Sequence, residues 1–103
     1  MKKFNFLENI SDEKDFEIFE KVLEDKNVRI ERIVSFGQTS PSNYWYDQDE
    51  NEFVIVLEGE GRILFENKKE ISLKKGDSIF IEAHKKHRVT FTENKTIWFA
   101  LFY

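Results

Sequence analysis

Apolar and polar residues change their period along this chain. Between Ser11 and Glu24, Phe16, Phe19, Val22 and Leu23 recur at helical spacing while Glu17, Glu20, Lys21 and Glu24 face elsewhere, which predicts one amphipathic helix. Ser11-Asp12-Glu13 reads as its start, with acids placed in the first turn where the helix dipole favours them. From Asn27 the period shortens. Val28 to Phe36 reads as a strand whose alternation slips near Arg32, where a bulge is expected. Gly37 to Asn43, with the only proline at Pro41, is a loop.

The remainder alternates short strands with polar turns. Tyr44 to Gln48 precedes a turn at Asp49-Glu50-Asn51, and Phe53 to Leu57 is apolar enough to be buried on both faces. Gly59 and Gly61 bracket a turn. Arg62 to Glu66 pairs with Glu70 to Leu73 as a hairpin, and Lys75-Gly76-Asp77 turns into Ser78 to Glu82. After a loop from Ala83 to Lys86 come strands over His87 to Thr92 and Thr96 to Tyr103, joined through Glu93-Asn94-Lys95. Strands of this length and spacing predict an all-β fold, a small double-sheet barrel with the helix against it. Ile97 to Tyr103 is apolar on both alternating faces, so the side turned away from the barrel needs cover. The helix or a second subunit would supply it, and a homodimer is the expected assembly.

Composition narrows the chemistry. A chain of 103 residues makes one domain, expected over 1–103. With no cysteine, disulfides and thiolate metal sites are excluded, so any metal must be held by imidazole, carboxylate, amide or phenol. A net charge of -4 argues against a nucleic-acid partner. No apolar run is long enough for a signal peptide or a membrane span, which makes the cytoplasm the expected compartment and a membrane partner unexpected. Trp45, Tyr46, Tyr44, Phe80, Phe91 and Trp98 offer aromatic walls for a pocket, though most such residues fill barrel cores.

Two stretches carry candidate chemistry. Glu52 is followed by six residues and then Gly59, and a Gly76-Asp77 turn leads through Ile81 to His87. These resemble the two sequence motifs of the cupin superfamily, and the resemblance covers roughly residues 28–103, leaving 1–26 as an amino-terminal segment carrying the helix. It implies a double-stranded β-helix, a jelly-roll-like barrel. Cupin metal sites generally place two His separated by one residue, then Glu, on the first motif and one His on the second. Here Tyr46 and Gln48, or in the alternative register Trp45 and Asp47, stand where the paired His would be. The first register sends Tyr46, Gln48 and Glu52 to one face if the turn between them keeps parity. The resemblance also implies that Glu52 and His87, with Gln48 or Asp47, hold a divalent ion such as Zn, Mn, Ni or Fe. His84 stands where many members have glycine, and Glu82 where the motif usually has proline.

Glu52 needs a partner if it points into the barrel. Besides an ion, Arg32 or Arg88 would satisfy it; as a catalytic group it would move protons, with the Tyr46 phenol as a second candidate. The expected function is binding of a polar small molecule, such as a carboxylate or sugar-like compound, at that ion, with isomerase-, hydrolase- or dioxygenase-like chemistry left open. The alternatives are a metal-free ligand-binding or sensing barrel and a dimeric structural module, neither catalytic.

Overall fold

A computed structural model describes residues 2–103, so Met1, the first residue of the expected domain, lies outside the described residues. Among the described residues there are eight strands: β1 (Ile18–Asp25), β2 (Val28–Phe36), β3 (Glu52–Glu58), β4 (Glu60–Phe65), β5 (Glu70–Lys74), β6 (Ser78–Ile81), β7 (His87–Thr92) and β8 (Asn94–Phe102). They make a five-stranded sheet in the order β1-β2-β8-β3-β6, facing a three-stranded sheet in the order β5-β4-β7. Every named pairing is antiparallel. This is an all-β, cupin-like architecture, and the strands from Val28 onward fall close to their expected bounds.

The core lies between the sheets. Val54, Val56, Ile63, Phe65, Leu73, Ile81, Trp98, Ala100 and Phe102 form one buried cluster. They meet there because the register places Trp98, Ala100 and Phe102 opposite Val56, Val54 and Glu52, all on the inward face of the larger sheet. Gly61 lies flat under Trp98, where any Cβ would overlap the indole ring, so a side chain at that position would push the two sheets apart.

The amino-terminal helix is not formed; among the described residues there is no helix at all. The Ser11 hydroxyl does accept a hydrogen bond from the Glu13 amide (3.0 Å), but the turn it closes is not continued. Instead the chain extends at Ile18 and adds to the edge of β2. Extension sets Glu20 opposite Arg32, whose guanidinium is 1% exposed and donates to the Glu20 carboxylate from Nε (3.0 Å). A helix would have left that cation unpaired. A register shift between Lys21 and Leu23 breaks the two-residue alternation, which is why the segment imitates a helical period. The slip expected near Arg32 is not there either. The register between β2 and β8 shifts instead between Ser35 and Phe36, with Lys95 of β8 as the extra residue, and Arg32 keeps its place on the outward face under residues 5–9.

Candidate functional site

The residues expected at the site arrive from both sheets. Glu52 opens β3, a strand paired on both sides through Glu52↔Ile81 and Glu52↔Phe102, so its direction is fixed by two neighbours. His87 opens β7 in the smaller sheet and pairs with Phe65. Upstream of β3 the chain remains extended, and Tyr46 and His87 exchange backbone hydrogen bonds of 2.8 and 3.2 Å. The Gln48 carbonyl accepts from the His84 amide (2.8 Å), and Asn51 and Tyr103 exchange a further pair. These bonds carry the alternation through the Asp49-Glu50-Asn51 turn, so that Tyr46, Gln48 and Glu52 all line one cavity of about 110 Å³ together with His87. That volume holds several water molecules or a small ligand.

Inside it, Gln48 Nε2 donates to Glu52 Oε1 (3.0 Å), and His87 Nε2 faces the same oxygen at 3.7 Å, beyond hydrogen-bond reach. His87 Nδ1 lies 2.8 Å from the Lys85 carbonyl. A carbonyl only accepts, so Nδ1 carries the proton and, in the neutral ring, Nε2 presents its lone pair to the cavity. The Tyr46 ring stacks on His87 with centroids 5.6 Å apart. Burial raises the Tyr46 phenol above its ordinary value, and the charges of Glu17 and Glu52 push the same way.

Asp47 does not join this group. It projects to the exposed side, where its carboxylate meets His84 Nδ1 at 2.8 Å while Asp49 meets Nε2 at 3.2 Å. Trp45 lies beneath the Arg88 guanidinium, 4.8 Å from ring centroid to Cζ. Neither arginine considered for Glu52 reaches it, since Arg32 belongs to the outward face and Arg88 is stacked on Trp45. His84 adopts φ 64°, so the backbone here asks for the left-handed region that the family's glycine supplies, and the two flanking aspartates hold an imidazole in its place.

The structure adds cavity residues that the pattern hid. Glu17 and Phe19 stand at the rim because the segment before β2 is extended rather than helical. Reading Glu17, Phe19 and Lys21 as one strand face would have found them. Trp98 closes the floor; its indole N–H donates to Ser35 Oγ (3.2 Å), and the Ser35 hydroxyl donates to Glu17 (2.6 Å). Of the other aromatic candidates, Phe91 packs under Arg62, and Tyr44 and Phe80 are exposed.

As ligands for an ion, Glu52 and His87 are two strong donors facing each other, and the Gln48 amide oxygen is a weak third. No three His, Cys, Asp or Glu side chains gather at metal-holding distance among the described residues. The donor set therefore fits an ion only when the amide of Gln48 turns its oxygen inward, away from the contact its nitrogen makes with Glu52.

Comparison with known proteins places this arrangement. The chain is similar to a crystal structure from Ralstonia eutropha JMP134 that bears a provisional description as a mannose-6-phosphate isomerase, at 35% identity and TM-score 0.94 over 99% of this chain and 97% of that one. An RmlC-like cupin protein from Desulfovibrio desulfuricans shares the fold at 22% identity and TM-score 0.78, over 98% and 95% of the two chains. The iron(II) form of HppE does so at 22% identity and TM-score 0.73, over 91% of this chain and 53% of that one. Among curated proteins none matches this chain at significant similarity. The family model for the cupin domain matches residues 33–102, the stretch that contains β3 to β8 with Glu52 and His87. The chain belongs to the cupin family.

Proposed function

We propose that the barrel cavity is a binding site for a polar small molecule, recognised by Glu52, His87, Gln48 and Tyr46. The observation that carries this is the convergence of a carboxylate, an imidazole, an amide and a phenol from two sheets on one apolar-walled cavity. Glu52 Oε1 and His87 Nε2 stand far enough apart, 3.7 Å, to admit a ligand group between them. A ligand atom there meets two proton acceptors, the Glu52 carboxylate and the Nε2 lone pair of the neutral His87 ring, either of which is placed to act as a general base. Gln48 holds the carboxylate in place from the side.

A divalent ion at Glu52, His87 and Gln48 is the second reading. The Lys85 carbonyl supports it by orienting His87 as such carbonyls orient metal-bound imidazoles. When bound, the ion would polarise a ligand oxygen. Wild type, Glu52→Gln and His87→Ala, purified without a polyhistidine tag, are compared by elemental analysis and by NMR titration with small polyols and amines. A cavity site predicts ligand-induced shifts at Trp98 and His87 that both substitutions weaken. Stoichiometric metal in wild type alone selects the second reading, and shifts indifferent to both substitutions overturn the site. We also infer a homodimer, since Phe80 and Tyr103 pack together at the larger sheet and remain about half exposed. A monomer in sedimentation equilibrium at 100 micromolar or so would refute it.

A further inference from the structure

The proposed cavity site leaves the charge of its ligand open, and the inference here rests on that reading. Three carboxylates line the cavity, Glu17, Glu31 and Glu52, and no lysine or arginine does so among the described residues. Glu31 is already matched, by Arg29 Nε at 2.8 Å. Glu17 and Glu52 meet only neutral donors within hydrogen-bond distance, the Ser35 hydroxyl and the Gln48 amide. The N–H groups of the wall already make bonds, Trp98 Nε1 to Ser35, His87 Nδ1 to Lys85 and one hydrogen of Gln48 Nε2 to Glu52, which leaves the second hydrogen of that amide as a neutral donor. Independently, His87 is 5% exposed and its Nε2 points into the cavity without a hydrogen-bond partner. An acceptor that opens only onto the cavity is available to a donor that enters it.

We propose that the cavity selects a small organic ammonium ion, its N–H groups taken by Glu52 and His87 in the interior, with Glu17 supplying attraction at the rim and Phe19, Tyr46 and Trp98 enclosing its hydrocarbon part. An anion would meet repulsion and find no uncommitted cation. The provisional description of the relative from Ralstonia eutropha names a phosphorylated sugar, and that class of ligand is the one this cavity excludes. The Tyr46 phenol is raised first by burial, and Glu17, Tyr44 and Glu52 add to it in the same direction.

The test is a set of NMR titrations at pH 7 on protein treated with a chelator, following the Trp98 indole and His87 resonances. The probes are n-butylammonium, 1-butanol, butanoate and mannose 6-phosphate. The ammonium is expected to bind at least tenfold more tightly than the alcohol, and neither anion is expected to shift these signals. Glu17→Gln, an isosteric change at the rim, should weaken the ammonium several-fold and leave the alcohol unchanged. Equal binding of alcohol and ammonium would overturn the charge selection while leaving the cavity site standing. Anion binding equal to or tighter than ammonium binding would overturn it too. Silence toward all four probes would sink this inference, while the polyols, tried separately, would still decide the broader site. Should Glu17→Gln not fold, the ranking on wild type decides alone.

Discussion

Arg32 and Glu52 are both buried charges on the larger sheet, and the protein treats them in opposite ways. Arg32, on the outward face, is saturated. Its guanidinium donates to the Glu20 carboxylate and to the carbonyls of Asn5, Phe6, Glu8 and Asn9, and the Phe4 ring lies over it at 4.7 Å. Glu52, on the inward face, has one amide hydrogen bond and an imidazole out of reach. Complete satisfaction fixes structure: Arg32 ties three otherwise separate pieces, the 5–9 segment, β1 and β2, into one layer. Incomplete satisfaction leaves capacity for something not yet in the cavity. On the proposed function, the difference separates a charge that holds the fold from a charge kept for a ligand.

The largest effect should therefore come from Arg32→Met. Removing the guanidinium leaves several carbonyls facing hydrocarbon, while the Glu20 carboxylate, 39% exposed, turns to water; losing these charge-assisted hydrogen bonds costs about 2–3 kcal/mol. Urea unfolding should show a midpoint lowered accordingly, and hydrogen exchange should show residues 5–9 and β1 losing protection first. Unchanged protection over 5–9 would mean that packing of Phe6 against Phe99, not the guanidinium, fastens that segment.

The same contrast marks what the sequence disclosed. Residues 52–59 and 76–87 were legible because a carboxylate before an apolar strand and a Gly-Asp turn before a histidine constrain register locally. The parity of Tyr46 and Gln48 was not, since it depends on cross-strand bonds from Tyr46 to His87 and from Asn51 to Tyr103, whose partners lie far along the chain. β1 was hidden for a related reason. Its conformation is selected by Arg32 and by the open edge of β2, and its own bulge disguises the alternation. Glu17 and Phe19 went unseen at the site as a direct consequence.

Tyr46 offers an intermediate effect that probes the cavity's field. Burial, then Glu17 and Glu52, hold its phenol above the ordinary value, so the folded state keeps the proton more firmly than the unfolded chain. The sign follows: the stabilisation is complete below the unfolded value, roughly pH 10, and disappears as pH rises through the folded one. Stability should thus fall more steeply above pH 10 in wild type than in Tyr46→Phe. Glu17→Gln should reduce part of that difference, because it removes one of the charges. Parallel curves for wild type and Tyr46→Phe would show that the phenol does not sense the cavity.

The smallest effect on stability should come from the most consequential site residue. Glu52→Gln keeps the shape and one hydrogen bond with Gln48 while removing a charge that is 9% exposed and poorly compensated. The change relieves a desolvation penalty as it removes an attraction, so the net should lie within about 1 kcal/mol of wild type, with either sign. Ligand affinity in the cavity should nevertheless fall by roughly tenfold or more, because the hydrogen bond from the ligand to the Glu52 carboxylate is charge-assisted and the amide cannot replace it. Denaturant melts and NMR titrations on the same sample read the two quantities together. If Glu52→Gln were instead to cost about 3 kcal/mol or more, Glu52 and His87 would be a structural pair like Arg32 and Glu20. The inward and outward faces of the sheet would then differ only in accessibility, not in purpose.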